Sequence, residues 1–171
     1  MSASALSELT DRSLNECQTV LQAYITQHLP HAKATGVSLD GFSDTTGENT
    51  LDMSIPLSQN RNELGQGFGT SLYTLSHMAC WSALYLKCSE HIEQPKILTR
   101  DAQIRYRHPV MSDRIVAHCR LPNPTQWKGF FAHYKNTGKT TLTLTSRIYN
   151  GKDIAVYFDG VFVLLGDETN R

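Results

Sequence analysis

The feature that most constrains the fold lies at residues 70–88, a helical stretch with apolar residues on almost every side. Leu72, Leu75, Met78, Ala79, Ala83 and Leu86 form one stripe, and Tyr73, Cys80, Trp81, Leu84 and Tyr85 fill most of the remaining circumference. A helix that is apolar all round is a buried helix. Ser76, His77 and Ser82 interrupt it too often for a membrane span, so the rest of the chain must wrap it. The segment before it, from Asn60 to Gly69, is a polar loop carrying Gly65, Gly67 and Gly69. Glycines let backbone approach a ligand closely, and the first turn of a helix leaves N–H groups unpaired at the positive end of its dipole. Such a junction suits a polarised carbonyl or an oxyanion, although the same glycines also serve simply to turn the chain into the helix.

The wrapping layer is legible as strands. Residues 1–12 are small and polar and read as a flexible N-terminus, which leaves 13–171 as a single domain. From Ser13, placed with Glu16 as a capping box, Leu14, Cys17, Leu21, Tyr24 and Ile25 follow helical spacing as far as Pro30. The period then changes to two: Val37 and Leu39, then Leu51, Met53 and Ile55, with a turn expected at Thr45–Thr50. After the central helix, Ala102, Ile104 and Tyr106 alternate with Asp101, Gln103, Arg105 and Arg107, and a second strand carries Ile115, Ala117, Cys119 and Leu121. Trp127, Phe130, Phe131 and Tyr134 predict a short helix stopped by Gly138. Leu142, Leu144 and Ile148 point inward on the next strand, and Asn150-Gly151 predicts a hairpin into the last one, 154–165. Amphipathic antiparallel strands around one buried helix give an α+β architecture, a curved antiparallel sheet wrapped round a long central helix. Its uncovered edges predict a homodimer, with a tetramer as a further step.

Composition excludes several partners. Lys+Arg and Asp+Glu are both 16, and no basic block marks a nucleic-acid surface. The start of the chain lacks a secretory signal and no segment is long enough to span a bilayer, which predicts a cytoplasmic protein away from membranes. Cys17, Cys80, Cys88 and Cys119 show neither CxxC nor zinc-ligand spacing and read as reduced thiols. His28 and His31 straddle a helix end without further ligands, so no metal is expected.

The order of elements, the glycine-rich approach NELGQGFGTSLYTL, the strand DAQIRYRHPV followed by SDRIVAH, and the final hairpin together resemble the hotdog-fold thioesterase superfamily over about residues 34–166. More narrowly, GFGTSLYTLSHMACW, ILTRDAQIRYRHPV and WKGFFAHYKNTGK are similar to the thioesterase-like domain at the C-terminus of YiiD-type bacterial acetyltransferases. The resemblance implies a hotdog fold and hydrolysis of an acyl thioester on coenzyme A or acyl carrier protein. It implies a site shared between two subunits and no cofactor beyond the coenzyme A of the substrate. Carried over, Asn62 falls on the family's loop asparagine, Gly69 on the oxyanion-binding amide with Phe68 beside it, and His77 where an aspartate would stand. No acid occurs from Thr70 to Lys87, which departs from the usual carboxylate base.

Around these positions Thr70, Ser71, Tyr73, Ser76 and Asp101 are candidates to contact substrate. His77 reads either as the group that activates water, its ordinary pKa lying near working pH, or as a hydrogen-bonded core residue. Asn62 either orients the thioester or closes a turn. Asp101 and Glu63 are the nearest carboxylates in sequence, as base or as solvated charges, and Arg105 and Arg107 could meet coenzyme A phosphates. The rival to an acyl thioesterase is a non-catalytic acyl-CoA or acyl-carrier-protein binding module, which the missing helix acid favours. A hotdog dehydratase lacks support because its proline-rich histidine motif is absent, and a purely structural dimerisation domain is the remaining reading.

Overall fold

The computed structural model describes residues 3–43 and 48–166. In chain order the elements are α1 (Ala3–Leu9), α2 (Leu14–His28), α3 (Pro30–Ala34), β1 (Ser38–Ser43), β2 (Thr50–Pro56), α4 (Gly69–Cys88), β3 (Lys96–Tyr106), β4 (Arg114–Arg120), α5 (Pro124–Thr137), β5 (Lys139–Asn150) and β6 (Asp153–Leu165). The strands form one sheet in the order β1-β2-β4-β5-β6-β3, with every neighbouring pair antiparallel. Its inner face curves round α4, which touches all strands from β2 to β6. Fourteen of the twenty residues of α4 are buried, which requires cover on more than one side of the helix. Leu51, Met53 and Ile55 of β2, Ile115, Ala117 and Cys119 of β4, and Phe158 and Phe162 of β6 supply it.

Local signals account for the element ends. The Ser13–Glu16 capping box starts α2, and a second one, Asn123 with Gln126, starts α5. Gly138 and Gly151 take the left-handed conformation that ends α5 and turns β5 into β6. Pro30 does more than stop α2: it occupies the first turn of α3, where its missing N–H is harmless. The start of the chain departs from the sequence reading. Ala3–Leu9, taken as flexible, form α1, with Ala5 and Leu9 buried against the core. A four-residue spacing of two apolar side chains is too faint a signal to notice in polar company, yet it suffices once a surface exists to receive it. Glu90, just past α4, accepts hydrogen bonds from the Thr10 hydroxyl and the Asp11 amide, and Arg12 donates to the Ser89 carbonyl at 3.1 Å. The turn expected at Thr45–Thr50 falls partly outside the described residues, and Thr50 already belongs to β2. Among the described residues, no helix is long and apolar enough to cross a membrane.

One glycine shapes the inner face beside α4. A Cβ at Gly160 would lie 2.8 Å from ring atoms of both Phe158 and Phe162, two side chains with no exposed surface. Without it the rings close over the strand and present their edges and faces to Tyr73 and His77 of α4. Gly160→Ala should therefore force these rings apart and destabilise the protein by about 1–3 kcal/mol, read as a lower urea midpoint with an unchanged slope.

Candidate active site

The loop before α4 is a closed hydrogen-bonded unit. Buried Asn60 donates through Nδ2 to the Thr35 and Pro56 carbonyls, both at 2.8 Å, which ties the ends of α3 and β2 to the loop. Its own carbonyl accepts from the Phe68 amide at 2.7 Å. Asn62 closes the loop tip: Oδ1 accepts from the Leu64 and Gln66 amides at 3.0 Å each, its carbonyl accepts from Gly65, and its amide donates to Gln66 at 2.7 Å. Gly65 sits at φ +74°, as that turn requires, and the Gly67 amide donates to Val110 at 2.8 Å. Every amide from Gly65 to Phe68 is thus engaged.

The next three are not. Helix α4 begins at Gly69 with Phe68 as an uncapped N-cap, and its first internal bond runs from the Leu72 amide to the Phe68 carbonyl. Among the described residues the amides of Gly69, Thr70 and Ser71 therefore have no partner, and they lie at the positive end of a 20-residue helix. The glycine-rich approach divides its labour: Gly65 and Gly67 build the loop, and Gly69 lies where donors face outward. Tyr106 of β3 lies over this point. Its hydroxyl donates to the Gly69 carbonyl at 2.8 Å, and a Cβ on Gly69 would meet its ring at 3.6 Å. Desolvation raises the Tyr106 phenol above its ordinary pKa, so it stays a neutral donor. Sequence reasoning had placed Tyr106 only on an apolar face; one hydroxyl on a strand carries no signal of the helix it will reach.

Helix α4 runs antiparallel to β3, so successive turns meet successive positions on that strand. Two turns after Gly69, His77 Nε2 lies 2.7 Å from Thr99 Oγ1. The His77 ring stacks 6.1 Å from Tyr73 and contacts Phe158 and Phe162 at 6.2 and 5.4 Å. Thr99 reaches it because β3 bulges between Thr99 and Asp101. Below the bulge Ile97 and Thr99 pair with buried Leu164 and Phe162; above it Ala102 and Ile104 pair with buried Gly160 and Phe158. Asp101, Gln103 and Arg105 fall on the opposite face, where Arg105 binds Asp159 at 3.1 Å and lies over the Tyr157 ring. The structure therefore does not bring Asp101 to α4, and Arg105 is drawn away from the Gly69 amides. Ser76 is buried with no hydrogen-bond partner for Oγ among the described residues, and its carbonyl accepts from Ser146. Ser71 and Tyr73 are half-buried, Phe68 and Thr70 exposed, and Glu63 exposed in the loop.

The family model YiiD_C, described as a putative thioesterase (yiiD_Cterm), matches residues 18–166. The chain belongs to this family. Solved structures carry the same hotdog fold across nearly the whole chain. A protein of unknown function from Chlorobaculum tepidum is 28% identical over 95% of this chain and 100% of its own, with a TM-score of 0.81. A putative thioesterase from Shewanella oneidensis is 22% identical over 89% of this chain and 99% of its own, with a TM-score of 0.74. A thioesterase from Haemophilus influenzae, at 12% identity and a TM-score of 0.63, covers 95% of this chain and 99% of its own. No curated protein matches the chain. This YiiD_C domain thus shares its architecture with proteins named as thioesterases, while its helix carries histidine and no acid.

Burial holds the His77 imidazole below its ordinary pKa of 6.5, so near neutrality the ring is uncharged. Unfolding returns it to solvent, where it takes a proton more readily. Stability is therefore lost as pH falls through about 6.5 towards the folded-state value. The stability advantage of the native chain over His77→Gln should shrink from about pH 8 to about pH 5 in urea titrations; a difference that does not vary with pH would show that the ring is not desolvated in solution.

Proposed function

We propose that this protein hydrolyses acyl thioesters of coenzyme A or acyl carrier protein at a site completed by two copies of the chain. The observation that carries the reading is the set of amides at Gly69, Thr70 and Ser71 without a partner among the described residues, following a loop whose amides from Leu64 to Phe68 are all engaged. Amides aimed at a thioester carbonyl stabilise the oxyanion that forms when water attacks, and one such donor is worth about a hundred- to a thousand-fold in rate. His77 takes the proton from the attacking water on Nδ1, the ring nitrogen that Thr99 does not engage, and returns it to the departing sulfur, leaving a free acid and a thiol. Asn62 has spent its Oδ1 on the loop, so any contact with substrate runs through Nδ2. Phe68, Thr70, Ser71, Tyr73 and Ser76 are candidate walls, the first four with exposed or half-buried side chains and Ser76 buried.

The two halves of this chemistry are too far apart in one copy. Eight residues separate Gly69 from His77, a rise of about 12 Å along the helix. Two α4 helices running antiparallel across a two-fold axis would set His77 of one copy beside Gly69 of the other. The free edge of β3 supports that pairing: the strand is eleven residues long, bonded among the described residues only to β6, and carries exposed Leu98 and Tyr106, with Leu64, Phe68 and Met111 also exposed. A binding module without turnover is the alternative, favoured by the hydrogen bond that engages His77 with Thr99 and by the absent helix acid.

Gly69→Pro separates these readings cleanly. Proline is favoured at the first helical position, and Phe68 already has the extended ψ of 129° that precedes proline, so the variant deletes the N–H while keeping the helix. Thiol release from a panel of acyl-CoAs and acyl carrier proteins should fall about a hundredfold or more with unchanged melting. Release that is absent from the native protein on every substrate would favour the binding module. Leu98→Lys, at the free edge, should give monomers in light scattering and lose turnover, because neither copy then has both groups; an active monomer would overturn the shared site.

A further inference from the structure

The outer face of the sheet, turned away from α4, carries a second constellation. Register sets five side chains in one row across five strands: Asp52 pairs with His118, His118 with Arg147, Arg147 with Tyr157, and Tyr157 with Arg105. At one end of the row Asp52 is largely buried and surrounded by donors. His118 Nδ1 lies 2.8 Å from Oδ1, Thr50 Oγ1 donates to the same oxygen at 2.8 Å, and Ser43 Oγ donates to Oδ2 at 2.8 Å. These hydrogen bonds and the His118 interaction hold the carboxyl below its ordinary pKa despite the opposing effect of burial. An ionised carboxylate only accepts, so His118 must carry its hydrogen on Nδ1. The ring is fixed further by the edge of Tyr149, with centroids 5.6 Å apart.

His118 borders a cavity of about 630 Å³ whose other walls include Arg120, Thr145, Arg147, Tyr149 and Lys152. Glu48 pairs with Arg120 at 3.3 Å and Asp159 with Arg147 at 3.5 Å, while Lys152 has no anionic partner among the described residues. The pocket therefore presents one uncompensated cation, spare guanidinium hydrogens and a threonine hydroxyl, beside the imidazole that Asp52 holds in place. Convergent donors of this kind suit a group with several acceptor oxygens. The volume lies in the range of small-molecule sites and exceeds the needs of a bare phosphate, and Tyr149 with Ile154 offers an apolar wall for the rest of the ligand.

We propose that this outer-face pocket is a second ligand site, distinct from the open amides of α4, that takes a phosphate-bearing small molecule with a planar body, a nucleotide in class. The phosphate meets Lys152 and Arg120 beside His118, and the planar part lies on Tyr149. Asp52, Thr50 and Ser43 are positioning residues that set the tautomer of His118 without touching the ligand. The alternation of β4 separates this site from the first: Ala117 and Cys119 are buried towards α4, and His118 and Arg120 point the other way.

The test follows the His118 ring signals of the nitrogen-15-labelled full chain during titration with ADP at constant ionic strength, with adenosine as the phosphate-free control. A saturable shift of the His118 signals with ADP and none with adenosine is expected. Lys152→Ala, on an exposed turn, should weaken ADP about tenfold, the loss of one charge-assisted contact, and Lys152→Arg should restore most of it. No saturable response to ADP, an equal response to adenosine, or an undiminished response in Lys152→Ala would each overturn the proposal. None of these readings depends on thioester turnover, so the fate of the α4 site leaves this test intact.

Discussion

Everything in this molecule answers to the burial of α4. Twenty residues that are apolar on nearly every side cannot lie on a surface, and a single sheet can satisfy them only by curving round them. Curvature sets which strands touch the helix, and it leaves the sheet with an outer face and two open edges at β1 and β3. The small helices fill what remains: α1 and α2 lie near the C-terminal half of α4, and the stack of Tyr24 with Trp81 and Tyr85 joins α2 to it.

A helix held so firmly has a fixed first turn, and that turn is the chemical resource of the fold. The loop engages every amide from Leu64 to Phe68, which ties down the approach to the helix and leaves the amides of Gly69, Thr70 and Ser71 at its end without a partner among the described residues. Tyr106 anchors the same point from β3. Buried side chains thus position a polar site without belonging to it. The distance from this turn to His77 follows from helix rise alone, so a shared site is a geometric requirement of the proposed chemistry rather than an embellishment of it.

The two faces of the sheet illustrate one rule used twice. Strand alternation sends Ile115, Ala117 and Cys119 to the core and His118 and Arg120 outward. On β3 a bulge shifts the phase, bringing Thr99 to His77 while leaving Asp101 with Gln103 and Arg105 outside. One extra residue in a strand therefore keeps the Asp101 carboxylate off the helix.

The sequence by itself determined the buried helix, the strand period, the Ser13–Glu16 capping box, the β5–β6 hairpin and the family, because these depend on residues close together in the chain. It also marked Gly69 and His77 as positions to examine. It left open whether Asn62 closes a turn, and the structure shows its Oδ1 doing so. Only the tertiary structure decided that Phe68 lends its amide to Asn60, that Tyr106 covers Gly69, that Thr99 meets His77, and that Asp52 lies against His118. Each of these contacts is made through single polar atoms, the last three between distant segments, and a single polar atom leaves no periodic trace in a sequence. The α1 helix was missed for a related reason: two apolar side chains become a face only when a core exists to receive them.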